Sequence, residues 1–468
     1  MNISLKVAVT AALAVCTATQ MSARKYVFDM QNYGISPTAM SQSPDSTLSL
    51  KLQKALADIQ SKVKATDKVT LKFKKGRYDF HATYAPAYEL YISNHDQGQP
   101  KPVGLYLDQW SNLTIEGNGS DFIFHGRMIP LVIKQSANCT VKNLAIDFEN
   151  PQIAQVQVVK NSPTEGITFE VAPWVKYRIA ANGRFETYGE GWSEQQMAGM
   201  AFERDTKHIV YNTSDLGINT QGVTDLGGRQ LHAPNWKDSR LVPGTLVAMR
   251  TWSRPCPGVV LANNRQTTLQ NVTVHYAEGM GLIAQRCTDI TLNKFNVSLR
   301  GENDPRYFTT QADATHFSQC RGKITSNHGL YEGMMDDAIN IHGVYLKVRE
   351  RIDDHTLRCR YEHGQAYGFD WGDAGDKVSF VRSATMDNLS HTNTITDIRP
   401  ADRTEVLGCK EFIIKVKDAL PAEISEKEGY GIENLSWTPE VEFRHNIVRN
   451  NRARGALFSS PLRTVCTD

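Results

Sequence analysis

The sequence predicts an all-β protein, a parallel β-helix in which short coils stack on one another. One observation is a repeated pattern of a short strand, an Asn or Lys at a bend, and a second short strand. A second is that the repeats recur at about two dozen residues, the length of one coil, with little helical periodicity between them. The pattern occurs at residues 139–146 (CTVKNLAI), 268–274 (TLQNVTV) and 291–297 (TLNKFNV), and more loosely at 323–328 and 442–447. Each such repeat buries its apolar residues only by stacking on its neighbours, which favours a solenoid.

A β-sandwich is the alternative fold. Sandwiches place turns every 8–12 residues or so but do not repeat one bend motif at coil length.

The composition indicates a large core and an uncharged partner. The chain has 468 residues, 40% of them apolar, with 52 basic against 50 acidic side chains. A basic field for nucleic acid or for a membrane surface is therefore not indicated, and we expect a neutral molecule as substrate.

The N-terminus resembles a secretory signal peptide over residues 1–23. Lys6 precedes an apolar run at 7–15 and then small residues, with cleavage expected after Ala18 or Ala23. Export to the periplasm, the cell surface or the medium follows, and Cys16 is an alternative lipid-anchor site. The other cysteines are widely spaced without a C-x-x-C pair, so neither a zinc site nor a disulfide framework is predicted, and several should lie in the core.

An amphipathic helix near 47–63 leads into a strand at 69–73 and should cap the first coil. Two irregular regions interrupt the repeats, and we interpret them as small antiparallel β modules inserted into the helix. The predicted division is 1–23 signal peptide, 24–150 cap and first coils, 151–251 first module, 252–344 central coils, 345–437 second module and 438–468 a further coil.

Three aspartates carry the functional argument. Asp336 and Asp337 are adjacent in an apolar segment, where a fold alone has little use for two like charges. Asp313 lies 23 residues before Asp336, and Leu269 lies 23 residues before Leu292 in two bend motifs. If 23 residues make one coil, Asp313 and Asp336 occupy equivalent places on successive coils, roughly 4.8 Å apart at the backbone.

Such a cluster suits hydrolysis of a glycosidic bond. Like charges raise the pKa of at least one carboxyl, which can then donate a proton to the leaving oxygen, while an ionised one holds a water. Inverting enzymes separate acid and base by roughly 6.5–9.5 Å to admit that water. Capping of backbone amides or calcium binding is the structural alternative for these aspartates.

Residues 334–346 (MMDDAINIHGVYL), 311–317 (QADATHF), 450–455 (NNRARG) and 249–252 (MRTW) resemble the α-1,3-galactosidases of glycoside hydrolase family 110. The resemblance extends over essentially the whole chain after residue 23. It implies a right-handed parallel β-helix with two inserted β-barrel modules and metal-independent, inverting removal of terminal α-1,3-linked galactose from blood-group-B-type and related glycans.

The resemblance also implies roles for the three aspartates. Asp336 would be the general acid, while Asp313 and Asp337 would position and deprotonate the water. Family members continue through further coils after the segment matching 450–455, so the final coil here is expected to be short.

Further residues are candidates for binding the sugar. Trp252 could stack on the apolar face of galactose, and Arg250 and Arg254 could hydrogen-bond its hydroxyls. His316, Glu332 and His342 lie beside the acids in sequence, where a buried, hydrogen-bonded histidine in the core is an equal alternative. No cofactor and no metal are expected, and homo-oligomerisation is left open.

Three other functions fit a β-helix. A polygalacturonase-like hydrolase would show a basic cluster near the acids for its anionic substrate, and a lyase would need calcium and a Lys or Arg base. A non-catalytic adhesin would have no reason to cluster Asp313, Asp336 and Asp337.

Overall fold

The structure is a computed structural model that describes residues 23–38, 45–425 and 429–468. The predicted signal peptide, including Cys16, lies outside the described residues except for Ala23. Among the helices of the described part, none is long and apolar enough to cross a membrane.

The N-terminal part contains the single α-helix of the described chain. Its elements are β1 (Lys25–Asp29), α1 (Leu48–Lys62), β2 (Lys68–Lys72), β3 (Arg77–His81), β4 (Ala87–Tyr88), β5 (Lys101–Asp108), β6 (Leu113–His125), β7 (Ile129–Lys134) and β8 (Ala137–Phe148). Leu48, Leu52, Leu56 and Ile59 lie on the buried side of α1, as their spacing predicts.

Antiparallel strands follow. They are β9 (Ala154–Ser162), β10 (Gly166–Val171), β11 (Tyr177–Ile179), β12 (Phe185–Gly189), β13 (Trp192–Glu194), β14 (Ala198–Phe202), β15 (Leu216–Gly217), β16 (Thr224–Gly227), β17 (Gln230–Ala233) and β18 (Leu246–Arg250). Seven of them form one sheet in the order β15-β14-β18-β9-β10-β17-β16, with its own apolar core, while β11, β12 and β13 form a small second sheet.

The parallel strands then resume. They are β19 (Val259–Ala262), β20 (Arg265–Val274), β21 (Leu282–Gln285), β22 (Thr288–Val297), β23 (Thr315–Ser318), β24 (Arg321–Asn327), β25 (Leu330–Glu332) and β26 (Ile339–His342).

A closed antiparallel barrel interrupts them again. Its strands are β27 (Leu346–Asp353), β28 (Thr356–Arg360), β29 (Lys377–Arg382), β30 (Asp387–Pro400), β31 (Glu411–Val416) and β32 (Tyr430–Asn434), closed in the order β27-β28-β31-β30-β29-β32. The chain ends with β33 (Pro439–Arg444), β34 (Ile447–Arg449), β35 (Ala456–Phe458) and β36 (Thr464–Thr467). Both regions that interrupt the parallel strands consist of antiparallel strands, and the second set forms a closed barrel. In the first set, β15 and β16 are the two edge strands of the seven-stranded sheet.

Two parallel sheets organise the rest of the chain. One runs β1-β2-β6-β8-β20-β22-β24-β33-β36, and the other runs β5-β7-β19-β21-β23-β26-β35, with β4 added antiparallel at its end. Consecutive strands alternate between the two sheets from β5 to β8 and again from β19 to β24. The chain therefore advances by one strand in each sheet per repeat.

Apolar side chains form columns that run through these repeats. Leu71 pairs with Ile115, Ile115 with Val141, Val141 with Leu269, and Leu269 with Leu292. Each is at most 1% exposed, and burying such a side chain contributes about 1.5–3 kcal/mol. The 23-residue offset between β20 and β22 is confirmed by the pairing of Leu269 with Leu292. Six of the described cysteines are buried and free, and Cys466 is exposed.

The bends of the repeats need a left-handed backbone. Asn143, Asn271 and Lys294 have φ angles of 58°, 51° and 53°. Asn tolerates this region better than most residues because its short side chain hydrogen-bonds locally. The Asn271 amide donates to Asn143 Oδ1 at 2.9 Å, so the bends also bind one another from coil to coil.

Candidate active site

The three aspartates lie where neighbouring coils turn into the second parallel sheet. Asp313 lies two residues before β23, and Asp336 and Asp337 lie in the bend between β25 and β26. The backbone N–H of Ala314 donates to the carbonyl of Asp337 at 2.8 Å, and Thr315 pairs with Ile339. The offset here is 24 residues, so the expected equivalence of Asp313 with Asp336 is wrong, and Asp337 stands across from Asp313. The coil carries one residue more than the β20–β22 repeat does.

The bend lets both adjacent aspartates contribute to one cluster. A regular strand would turn Asp336 and Asp337 to opposite faces, but neither residue is in a strand. One carboxylate oxygen from each of Asp313, Asp336 and Asp337 lies within 4.8 Å of the others. Asp313 and Asp337 are buried, whereas Asp336 is partly accessible. A cluster this compact would also accommodate a cation, which is the structural alternative for these aspartates.

Three arginines surround the acids. Arg254 Nη2 donates to Asp336 Oδ2 at 2.7 Å, and Arg452 Nη1 donates to Asp336 Oδ1 at 3.3 Å. Arg454 contacts Asp337 through two of its three side-chain nitrogens, Nε to Oδ1 at 2.9 Å and Nη2 to Oδ2 at 2.8 Å, and through its backbone N–H at 2.8 Å. A two-pronged pair of this kind strongly favours the ionised carboxylate.

Burial acts in the opposite direction on the other two acids. It raises the pKa of Asp313 to about 7, with Asp337 adding to the shift and Arg254 opposing it. Burial also raises the pKa of Asp336, and the neighbouring Asp313 adds to it, while Arg254 and Arg452 oppose it. The cluster thus combines two carboxyls whose pKa is raised by burial with a third that is paired with an arginine, and this asymmetry suits general acid–base chemistry.

Both candidate histidines are hydrogen-bonded to this cluster. His316 Nδ1 lies 2.7 Å from Asp313 Oδ2, and His316 Nε2 lies 2.7 Å from His342 Nε2. Burial lowers the pKa of His316 to about 3 and that of His342 to about 4, so both rings are neutral near pH 7.

Arg250 is buried, whereas Trp252 is exposed to solvent. The buried Arg250 donates through Nη1 to the carbonyls of Gln311 and Met335, each at 3.1 Å. It therefore ties together the two bends that carry the acids, which favours a supporting role over sugar binding. Trp252 is 51% exposed, with the Arg250 guanidinium 4.3 Å from its ring centre, and it offers an accessible aromatic surface.

Glu332 does not join the aspartates through any hydrogen bond. Its carboxylate accepts from the backbone N–H of Leu299 at 3.1 Å and from Arg449 Nε at 2.7 Å. This placement favours a structural role for Glu332.

Sequence reasoning missed the partners that come from distant segments. The motif at 450–455 contains Arg452 and Arg454 but does not indicate a role for either. No motif marks Asn94, whose side-chain nitrogen lies 3.0 Å from His316 Nε2. The spacing between residues 94, 316 and 454 carries no periodicity, so only the coil stacking brings them together.

A cavity of about 280 Å³ adjoins this site. Its lining includes Asn94, His342, Tyr345, Tyr361 and His363, between the parallel strands and the closed barrel. Neither this cavity nor a larger one of about 510 Å³ is lined by any of the three aspartates. The smaller one is the better candidate for holding part of a substrate because it reaches the histidine next to the acids.

Two family models match the chain. GLAA-B beta-barrel domain I matches residues 154–247, and GLAA-B beta-barrel domain II matches residues 356–428. These ranges cover most of the two antiparallel regions.

Three relatives are similar over nearly the whole chain. A protein named alpha-1,3-galactosidase B from Phocaeicola vulgatus is 60% identical over 439 residues, 94% of this chain and 72% of the relative. A second P. vulgatus protein of that name is 55% identical, covering 96% of this chain and 75% of the relative. One from Bacteroides fragilis is 54% identical, with coverage of 97% and 75%.

The supporting role of Arg250 predicts a stability effect. Arg250→Met should lower the free energy of unfolding by about 1–3 kcal/mol because two buried carbonyls lose their donor. Urea unfolding followed by circular dichroism measures the change. The matched control is Arg349→Met, which removes a surface arginine whose contact with Glu362 is 3.5 Å long, and it should change stability by less than about 0.5 kcal/mol. Equal losses in both variants would contradict the role.

Proposed function

The chain belongs to the alpha-1,3-galactosidase B family, glycoside hydrolase family 110, and on this premise we propose that it is an α-galactosidase. Its proposed reaction is the hydrolysis of terminal, non-reducing α-1,3-linked galactose from glycans. The substrates would be the branched blood group B antigen, linear Gal-α-1,3-Gal, or both.

The observation that carries the proposal is the cluster of Asp313, Asp336 and Asp337 within 4.8 Å. Hydrolysis of a glycosidic bond requires one carboxyl that donates a proton and another that accepts one. The raised pKa of Asp313 and Asp336 beside the Arg454-bound Asp337 supplies both kinds of group. The exposed ring of Trp252 lies near the arginines and suits the apolar face of a sugar.

In the proposed mechanism Asp336 is the general acid. Water attacks the anomeric carbon while the bond from that carbon to the glycosidic oxygen breaks. The leaving oxygen takes its proton from Asp336, and the water, positioned by Asp313 and Asp337, gives its proton to this pair of acids. Inversion of configuration follows from this single displacement.

The spacing of the acids makes the stereochemistry an essential measurement. Their oxygens lie within 4.8 Å, below the roughly 6.5–9.5 Å typical of inverting pairs and nearer the roughly 5–5.5 Å typical of retaining pairs. Those distances describe two carboxyls, whereas three share this site. The family resemblance favours inversion, and the first anomer formed decides between the two mechanisms.

The arginines near the acids argue against the polygalacturonase-like alternative. Arg254, Arg452 and Arg454 form the basic cluster that an anionic sugar would need, but each is already paired with an aspartate of the site. Their charge is therefore largely neutralised before substrate arrives, which favours an uncharged sugar.

We also propose an architecture and a cellular location for the protein. The two parallel sheets would be faces of one right-handed β-helix capped by α1, with inserted barrels at residues 151–251 and 345–437. The signal-like residues 1–23 would direct export. No metal or other cofactor would be needed.

Galactose release from defined glycans tests the function. Incubation with branched blood group B and with linear Gal-α-1,3-Gal oligosaccharides should release galactose from at least one, and proton NMR should record β-galactose first. An α-1,4-linked digalactoside is the control for linkage. Release of α-galactose first would require one aspartate to act as a nucleophile, and cleavage of polygalacturonate alone would overturn the proposal.

The general acid is tested by Asp336→Asn. The amide keeps the shape but has no proton to give, so the rate on natural glycans should fall about 10²–10⁴-fold. A galactoside whose leaving group needs no protonation should lose much less, and the ratio of the two rates is the measurement. Asp354→Asn, at an exposed carboxylate paired with Arg351, is the matched control. An equal loss on both substrates would remove Asp336 from the acid role.

Metal independence is tested with chelation. Activity should be unchanged after incubation with EDTA and removal of the chelator, because two carboxyls suffice for the chemistry. Loss of galactose release that calcium restores would show instead that the aspartate cluster holds a cation.

A further inference from the structure

Three short contacts run in series from Asp313 to a backbone carbonyl. Asp313 Oδ2 lies 2.7 Å from His316 Nδ1, His316 Nε2 lies 2.7 Å from His342 Nε2, and His342 Nδ1 lies 2.6 Å from the carbonyl oxygen of Gly343. Asp313 and His316 are buried, at 2% and 3% exposure. Each contact is short enough to require a hydrogen between its two atoms, because two lone pairs facing each other at this distance repel.

Counting hydrogens along the series gives its protonation state. Two neutral imidazoles carry one N–H each and supply two of the three contacts. The carbonyl of Gly343 only accepts, so it supplies none. One further proton must therefore reside on the group formed by Asp313, His316 and His342.

The position of that proton follows from burial. With His342 donating to Gly343, its Nε2 accepts from His316 Nε2–H, and His316 Nδ1 then accepts from a protonated Asp313. The alternatives place a positive charge on one of the two buried histidine rings beside an ionised Asp313, and burial disfavours such charges. The side-chain amide of Asn94 is compatible because its oxygen and nitrogen can exchange places to face the ring as acceptor.

We propose that His316 and His342 are positioning residues that hold a proton on Asp313 in the free enzyme, so that Asp337 alone removes the proton from the attacking water. The inference rests on the proposed function and separates the roles of two aspartates within it. Neutral Asp313 then acts as a hydrogen-bond partner for the water or the sugar.

The proton balance of the reaction closes with this assignment. The water oxygen bonds to the anomeric carbon, the bond to the leaving oxygen breaks, Asp336 gives its proton to that oxygen, and Asp337 receives one from the water. Asp313 keeps its proton throughout. Exchange with solvent then takes the proton from Asp337 and restores one to Asp336.

The charged groups around the two acids support a protonated Asp313 and an ionised Asp337. Arg254, Arg454, Asp336, Asp337 and His342 all face Asp313, and the net effect with burial is a pKa of about 7. The hydrogen bonds recorded for Asp337 differ in kind: three come from Arg454 and one from Asn340 at 3.3 Å. Asp337 is therefore stabilised as an anion, while Asp313 faces a neutral ring.

The first test detects the proton directly. Infrared spectra of the free enzyme, with aspartate carboxyls isotopically labelled, should contain a protonated-carboxyl band at pH 6 that loses intensity in Asp313→Asn and keeps its intensity in Asp337→Asn. This measurement needs no turnover, so absent galactose release would reject the proposed function without touching the inference. A band unaffected by Asp313→Asn would overturn the inference.

The second test compares kinetics. Asp313→Asn keeps a neutral donor facing His316, so kcat should fall no more than about tenfold, whereas Asp337→Asn should lose about 10²–10⁴-fold. In the parent enzyme activity should be retained below pH 7 and lost as pH rises through about 7, where Asp313 ionises. Asp313→Asn should remove the contribution of Asp313 and leave only the alkaline limb that ionisation of the general acid Asp336 sets. Equal losses in both variants, with the alkaline limb unchanged from that of the parent, would overturn the assignment.

Substitutions at His342 test the series itself. His342→Gln offers an amide oxygen to His316 Nε2–H and should keep the parent pH profile. His342→Leu removes the acceptor, so His316 can turn its N–H toward an ionised Asp313, and the alkaline limb should move to lower pH. Identical limbs in the parent and in His342→Leu, with both variants folded by circular dichroism, would overturn the positioning role.

Discussion

The crowding of three carboxyl groups within 4.8 Å is the constraint to which the rest of the site responds. Three full negative charges at that spacing would repel strongly in a buried environment. The chain reduces this repulsion in two ways. Arg254, Arg452 and Arg454 provide cations for Asp336 and Asp337, and the histidines leave Asp313 facing a neutral ring.

The closed barrel contributes to this arrangement although its strands carry none of the three aspartates. Gln319, the residue after β23, accepts from the backbone N–H of Val344 at 2.8 Å and donates to the carbonyl of Trp371 at 2.8 Å. Trp371 in turn donates to the carbonyl of Val344 at 2.6 Å. The segment that leaves β26 for the barrel is thereby fixed, and with it the Gly343 carbonyl that orients His342.

The sequence predicted the repeats because bends and columns depend on local residue types. Asn143, Asn271 and Lys294 were recognisable at their bends, and the strand pattern placed Leu269 across from Leu292. It also singled out the acids, since a fold alone has little use for two adjacent like charges in an apolar segment. The sequence did not predict the 24-residue offset that places Asp337 across from Asp313, because one added residue in a repeat does not change composition or periodicity. Arg454 lies 117 residues from Asp337 and reaches it only through the last coil.

Asp336 must hold a proton to act as an acid, yet two arginines contact it in the free enzyme. Both arginines have a second attachment: the backbone N–H of Arg254 donates to Asp96 at 2.8 Å, and Arg452 Nε donates to Asp215 at 2.7 Å. The contact with Asp215 holds the Arg452 guanidinium near Asp336 whether or not it contacts the carboxylate, whereas the contact with Asp96 fixes the backbone of Arg254. A sugar hydroxyl can take the place of the carboxylate as a partner for either guanidinium. A bound sugar also removes water from Asp336, which raises its pKa further. In the proposed mechanism, substrate binding would then protonate Asp336 where the acid is needed, and a neutral Asp313 would leave the carboxylate of Asp337 as the base within the same cluster.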